Sequence, residues 1–330
     1  MNSTYYFDHT QEFRRELAET LDLESVKRLH IKRPGLHFLI LFRQLLLLGA
    51  CETALAITGW TWYAPLLILA AGFTIFNFTV LLHEVIHQAV TERDQNRPVL
   101  SRFLSLLYAM PSGISATQFT QWHLDHHAGL GAEETDPKRH WLSPKKNSRL
   151  LKLCYFTIAL FPIYFRAAAK ENATYPPALQ SRIRWERLTT IIFQLSLLAL
   201  AWWLGGFTVA LLTYILPIFV VFPIAFALNR VGQHYNINPA DPANWATLVK
   251  GTWFWDFAYL YSNYHLEHHY FPGVPFYNLP ALQKLLLPLY ERHGIKMHGY
   301  GDLFWGYIVK NGAPHTDWQS SNRATKPTAA

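Results

Sequence analysis

Eight histidines gathered in three short arrays restrict this chain more than any other feature. They are His83-Glu84-Val85-Ile86-His87, His123-Leu124-Asp125-His126-His127 and His265-Leu266-Glu267-His268-His269. Residues three and four apart on a helix lie on one face, so each array is read as helical, with its imidazoles within reach of a shared centre. Neutral imidazole is the commonest side-chain metal ligand. With His234, in Asn229-Arg230-Val231-Gly232-Gln233-His234, the count is nine, too many for one ion. A nitrogen-rich set of that size suits two first-row ions, and open positions suit iron that must meet dioxygen. Four ligands would already satisfy zinc.

The rest of the chain must bring these arrays together, and its apolar residues show how. Of 330 residues 51% are hydrophobic, and they are collected in long runs rather than in amphipathic stripes. That distribution points to a membrane protein. Leu36 to Ile57 is a first span, although Arg43, Gln44 and Glu52 lie inside it. An ionisable group in hydrocarbon costs about 3 kcal/mol or more unless paired, so these three should face other helices or an interface. Gly59-Trp60-Thr61-Trp62-Tyr63 supplies an aromatic belt, and Pro65 to Leu82 runs back to deliver His83 and His87. Leu188 to Leu204 and Phe207 to Leu228 make a second hairpin around Gly205-Gly206, returning to His234 and the third array.

Between the hairpins, Leu100 to Met110 and Leu151 to Phe165 are apolar but too short to cross, and an interfacial or re-entrant place is expected. The fold class is therefore all-α integral membrane, with four transmembrane helices in two hairpins below a helical cap. Lys and Arg are absent from both outer turns, so the positive-inside rule puts the three arrays and both termini in the cytoplasm. The net charge of +7 is explained by the membrane, and no nucleic-acid motif accompanies it. Cys51 and Cys154 are the only cysteines, which implies no disulfide framework. The sequence divides into a cytoplasmic amphipathic segment at 1–35, a membrane and cap domain at 36–311, and a disordered tail at 312–330. The first segment carries the stripe Phe13, Leu17, Leu21 and Val26, is expected to end at Pro34-Gly35, and shows no cleaved signal peptide. Leu279 to His293 reads as an amphipathic helix under the site.

The ordered arrays, the two hairpins, and Phe271-Pro272-Gly273-Val274-Pro275 with Asn278-Leu279-Pro280 after the third array resemble the membrane fatty acid desaturase superfamily. The resemblance covers most of the chain. It implies a stem of four spanning helices and a cytoplasmic cap with a di-iron centre. Carried over residue by residue, the ligands are His83, His87, His123, His126, His127, His234, His265, His268 and His269. Some relatives place an Asn four residues before the lone histidine; here that position is Arg230, and Asn229, one residue further back, is the candidate for its role. Asp125 and Glu267, with Glu84 and Asp136, are expected to orient ring N–H groups. Oxidising an unactivated methylene is beyond any side chain, so the protein would supply geometry and water exclusion around the metals.

The implied activity is an O2-dependent fatty acyl desaturase. It needs two iron ions, a lipid acyl substrate and a separate electron donor of ferredoxin or cytochrome b5 type. A hydroxylase, a ketolase or a decarboxylase forming a terminal alkene is the alternative on the same scaffold. Trp253, Trp255, Phe257 and Tyr261 are read as core packing rather than tunnel wall. An intramembrane zinc protease would use His83, His87 and Glu84 with Asp241, but leaves the other arrays unexplained. A metal carrier would not need three helical arrays. Of the remaining histidines only His140, near the second array, merits attention.

Overall fold

The computed structural model describes residues 4–91, 98–132, 135–235, 237–238 and 240–312. Among them every regular element is helical, and β structure is confined to one bridge between Val249 and His298. Of the tail read at 312–330 only Gly312 lies within the described residues.

Three helical stretches are long and apolar enough to cross a membrane: Pro34–Thr58, Ala64–Ile86 and Pro177–His234. The second is the central one, with 67% of its apolar window buried against 22% for the first. The first therefore stands at the margin, and Leu39, Phe42 and Leu46 face outward from it. Its polar residues turn inward or toward aromatic rings. Gln44 is buried 3.5 Å from Asn77, and the Arg43 guanidinium lies 4.8 Å above the Phe257 ring. Pro34 does not end the preceding helix but opens this one, because a proline ring pre-sets the first helical φ and its missing N–H is unneeded there.

Pro177–His234 is 58 residues long, but it is not straight. Gly205 and Gly206 leave helical geometry, Gly206 at φ +63, a region that an unsubstituted α-carbon enters freely. The chain doubles back there, since the Tyr214 hydroxyl donates to Gln194 Oε1 at 2.9 Å across twenty residues. Beyond the turn, Leu211–Ile215 and Pro217–Val221 are π-helical, the second starting at a proline that cannot donate to the helical ladder. This irregular stretch meets the central helix at Gly72, where a β-carbon would come within 2.4 Å of Val221. Leu55, Ala64, Ile68, Leu212 and Val221 form one apolar cluster that joins the tips of the two hairpins.

The short apolar stretches form Pro98–Ala109, Arg149–Cys154 and Leu160–Asn172, none long enough to span. Ala116–Gly129 and His265–Tyr270 carry the second and third arrays. Leu279–Arg292 is amphipathic as expected and buries Leu282, Gln283, Leu286, Leu289 and Tyr290 beneath the third array. The N-terminal helices Gln11–Thr20 and Leu23–Leu29 pack on that helix through Phe13 and Leu17, and Glu16 meets His293 at 2.8 Å.

Candidate metal centre

All nine histidines singled out in the sequence come together, in two groups. One holds His83, His87, His123, His127 and His268; the other holds His126, His234, His265 and His269. Within each group the ligand nitrogens lie within 4.8 Å of one another. The arrays do not each converge on one centre, as their spacing suggested. In both five-residue arrays the i and i+4 histidines join one group and the i+3 histidine joins the other. The reason is angular: from the first residue, i+4 is displaced by about +40° around the helix and i+3 by about −60°, so they fall on opposite sides of it.

Helix ends place these rings. His83 closes the last turn of the central helix, His87 caps it, and His234 is the last residue of Phe222–His234. The third array begins at His265, where Tyr264 leaves helical geometry, and all of His265, Leu266, Glu267, His268 and His269 are buried. Burial holds the imidazoles of His123, His126, His127, His265, His268 and His269 well below their ordinary pKa, which keeps them in the neutral form that binds metal.

The donor set fits a cation in the four-histidine group. His126 Nδ1 lies 2.8 Å from Asp136 Oδ1, and His234 Nδ1 lies 3.1 Å from the carbonyl of Trp245. Both partners are acceptors, so each Nδ1 carries the proton and each Nε2 presents a bare lone pair. Those two Nε2 atoms nevertheless face each other at 3.1 Å, and His265 Nε2 stands 3.0 Å from that of His234. Lone pairs held that close require a positive charge between them. Nitrogens bound at right angles to one ion at about 2.1 Å would stand roughly 3.0 Å apart. In the five-histidine group His87 and His123 meet through Nε2 at 2.8 Å, and His268 Nε2 reaches His127 Nε2 at 3.0 Å across the chain.

The carboxylates expected to orient the rings take different positions. Asp136 meets His126 and also accepts from the backbone N–H groups of Lys138 and Arg139, at 3.0 and 3.3 Å. Asp125 instead accepts from Gln121 at 2.9 Å and from the Tyr175 hydroxyl at 3.1 Å. Glu267 Oε1 accepts from Gln283 and Tyr290, at 2.8 and 2.7 Å, so it ties the third array to the helix below. Burial raises its pKa to about 7. Glu84 Oε2 accepts the Phe276 N–H at 3.0 Å, anchoring the loop after the third array. Asn229 donates to Ser262 and accepts from Gln233, each at 2.8 Å. His140 packs edge-on to Trp141 at 4.2 Å, outside both groups.

One participant escaped the sequence reading. Lys138 Nζ stands 3.0 Å from His123 Nδ1, and burial pushes its pKa well below the lysine range. An uncharged amine has a lone pair that can accept a hydrogen bond from Nδ1–H and leave His123 Nε2 bare toward His87. A lysine two residues after Asp136 in a polar stretch carries no sequence signal of this role.

The protease arrangement is not formed. Asp241 caps Pro242–Asn244 and lies 3.5 Å from His293, while His83 and His87 group with three other histidines. A cavity of about 90 Å³ opens beside His83, His123, His265 and His268. It shares Thr79, Phe119, Tyr164 and Phe226 with a second, smaller space that runs on to Phe161 and Phe222. None of Trp253, Trp255, Phe257 or Tyr261 lines it; Trp255 and Tyr261 pack against the core, and Trp253 and Phe257 are exposed.

Comparison with known proteins agrees with this geometry. Residues 58–301 match the family model described as fatty acid desaturase. The human sphingolipid delta(4)-desaturase/C4-monooxygenase DES2 is 25% identical over 92% of this chain and 88% of its own length. The dihydrorhizobitoxine desaturase of Bradyrhizobium elkanii is 25% identical over 72% of this chain and 71% of its own, and the Drosophila melanogaster sphingolipid delta(4)-desaturase DES1 is 23% identical over 71% and 69%. The matched stretch takes in all three histidine arrays, His234, the central helix and the second hairpin, so the chain belongs to the fatty acid desaturase family of membrane oxidoreductases.

Proposed function

We propose that two iron ions occupy the two histidine groups and that the chain inserts a C=C bond into a lipid acyl chain, with O2 as co-substrate. The observation that carries this reading is the pair of Nε2 atoms of His126 and His234 facing at 3.1 Å inside a cluster of nine imidazoles, each ring holding an acceptor at its Nδ1. Bound iron supplies the activation of dioxygen. The residues do the rest. Asp136 holds the ring of His126, Glu267 fixes the third array against Gln283 and Tyr290, and the apolar walls from Phe119 to Phe222 seat a chain and keep water out.

The balance requires a donor. Removing two hydrogens from a methylene pair while reducing O2 to two waters consumes two further electrons and two protons. This supports a separate ferredoxin or cytochrome b5-type protein with its reductase. The family's lipid chemistry and the human relative's name support an acyl lipid, sphingolipids included, as substrate class. That name also includes a C4-monooxygenase, which favours hydroxylation as the second reading of the same site. The doubling back at Gly205-Gly206 and the absence of Lys and Arg from both turns support four crossings with the centre and both termini cytoplasmic.

The test is the lipid profile, by mass spectrometry, of cells expressing the chain with a compatible donor, beside His265→Ala. A species two mass units lighter, absent from a variant that has lost iron but still inserts, is the expected result. An added oxygen in its place would assign hydroxylation. Full product formation by His265→Ala would overturn the site.

A further inference from the structure

We propose that Arg230 holds the acid end of the substrate, so that the lipid presented to the histidine centre is a free fatty acid gripped by its carboxylate. This rests on the lipid-oxidising reading above and adds to it the chemistry of the head group.

Arg230 borders the main cavity and also a third, smaller space walled by Tyr155 and Tyr307, which shares Leu142 and Phe226 with it. Its guanidinium carries five donors, yet among the described residues it makes one hydrogen bond, a long one of 3.4 Å from Nη1 to Gln233 Oε1. No carboxylate among the described residues forms an ion pair with it. The acidic group it senses, Asp136, is already engaged by His126 and two backbone N–H groups. Lys138, the other basic residue on the cavity wall, is turned to His123. An inward-facing guanidinium without a counter-ion is costly, and its planar fork matches a carboxylate in bidentate fashion.

Position gives the pairing its consequence. Arg230 lies four residues before His234, on the same helical face and one turn from the histidine centre. At the other end the space walled by Phe161 and Phe222 contains no charged residue and suits a hydrocarbon tail. A fatty acid lying between them has its carboxylate on Arg230 and its tail among the phenylalanines. The methylenes brought to the histidines are then those a few carbons from the acid end. A neutral amide or ester head would leave the guanidinium unpaired.

The full chain in lipid nanodiscs, without donor, provides the test through displacement of radiolabelled palmitate. Unlabelled palmitate should compete at least about tenfold better than methyl palmitate or palmitamide, the difference expected of a hydrogen-bonded charge. Arg230→Gln should remove that gap and Arg230→Lys should keep part of it. Equal competition by acid and ester on the native chain would overturn the proposal, as would a gap that persists in folded Arg230→Gln. The native comparison and Arg230→Lys decide the matter if Arg230→Gln does not fold. Because binding needs neither donor nor turnover, this result separates from a failure to find desaturated product.

Discussion

At the scale of single residues, the groups that steer the histidines separate into those that touch a ring and those that hold its helix. Asp136 is of the first kind, with one oxygen facing His126 Nδ1 and two backbone N–H groups. Asp136→Asn keeps the shape but removes the charge that fixes the tautomer, and should lower iron affinity about 10- to 100-fold. Iron retained per chain against a graded chelator checks this. Tyr290 is of the second kind, so Tyr290→Phe should cost about 1–2 kcal/mol of stability through the loss of one of the two hydrogen bonds to Glu267 Oε1, with the iron stoichiometry of the folded fraction unchanged. Thermal unfolding in detergent measures the first effect and metal analysis the second. Eight of the nine histidines were legible because imidazole at helical spacing says what it does, whereas His234 stands alone in the chain and was singled out by its place and by the family resemblance. Lys138, Gln283 and Tyr290 were not, because their roles arise from a fold that brings together residues far apart in the chain.

At the scale of elements, hydropathy and turn residues announced the hairpins, and the observed helices extend the expected spans by a few residues at most at their turn ends. Two features lay beyond pattern reading. Pro34 reads from sequence as a terminator but serves as an initiator, since proline is compatible with both and only the conformation of Arg33 decides. The splitting of each HxxHH array between two groups depends on where the partner helices stand. Contact at Gly72 gives a direct test. Gly72→Ala puts a β-carbon 2.4 Å from Val221 and 2.9 Å from the Pro217 carbonyl, and should destabilise the stem by about 1–3 kcal/mol. Val221→Ala in the same chain should return part of that loss, read as a recovered unfolding temperature.

At the scale of the whole molecule, both hairpins end at the histidines, so the cap is assembled from segments that leave and re-enter one side of the stem. Single cysteines report that arrangement. Trp60→Cys, in the exposed first turn, should react with an impermeant thiol reagent added outside intact cells, while Lys284→Cys, exposed on the helix under the third array, should react only after permeabilisation. Reaction of both from the same side would contradict the crossings, and the opposite pattern would reverse the topology. The apolar helices of the stem could be read from hydropathy, whereas the cavity could not. Its wall draws on the central helix, the second array's helix, Leu160–Asn172 and Phe222–His234, a combination that no single stretch of sequence displays.

The division of each HxxHH array between two groups also makes the centre a mechanical unit. One helical turn carries His265 and His269 on one side and His268 on the other, and His123 and His127 are set against His126 in the same way. Ordering that turn around one ion also fixes the remaining ring, which belongs to the second position. Filling should therefore be cooperative: chains given less iron than they can hold should sort into empty and doubly loaded forms, with few carrying a single ion. Native mass spectrometry during a graded iron titration would show this as two populations in place of three.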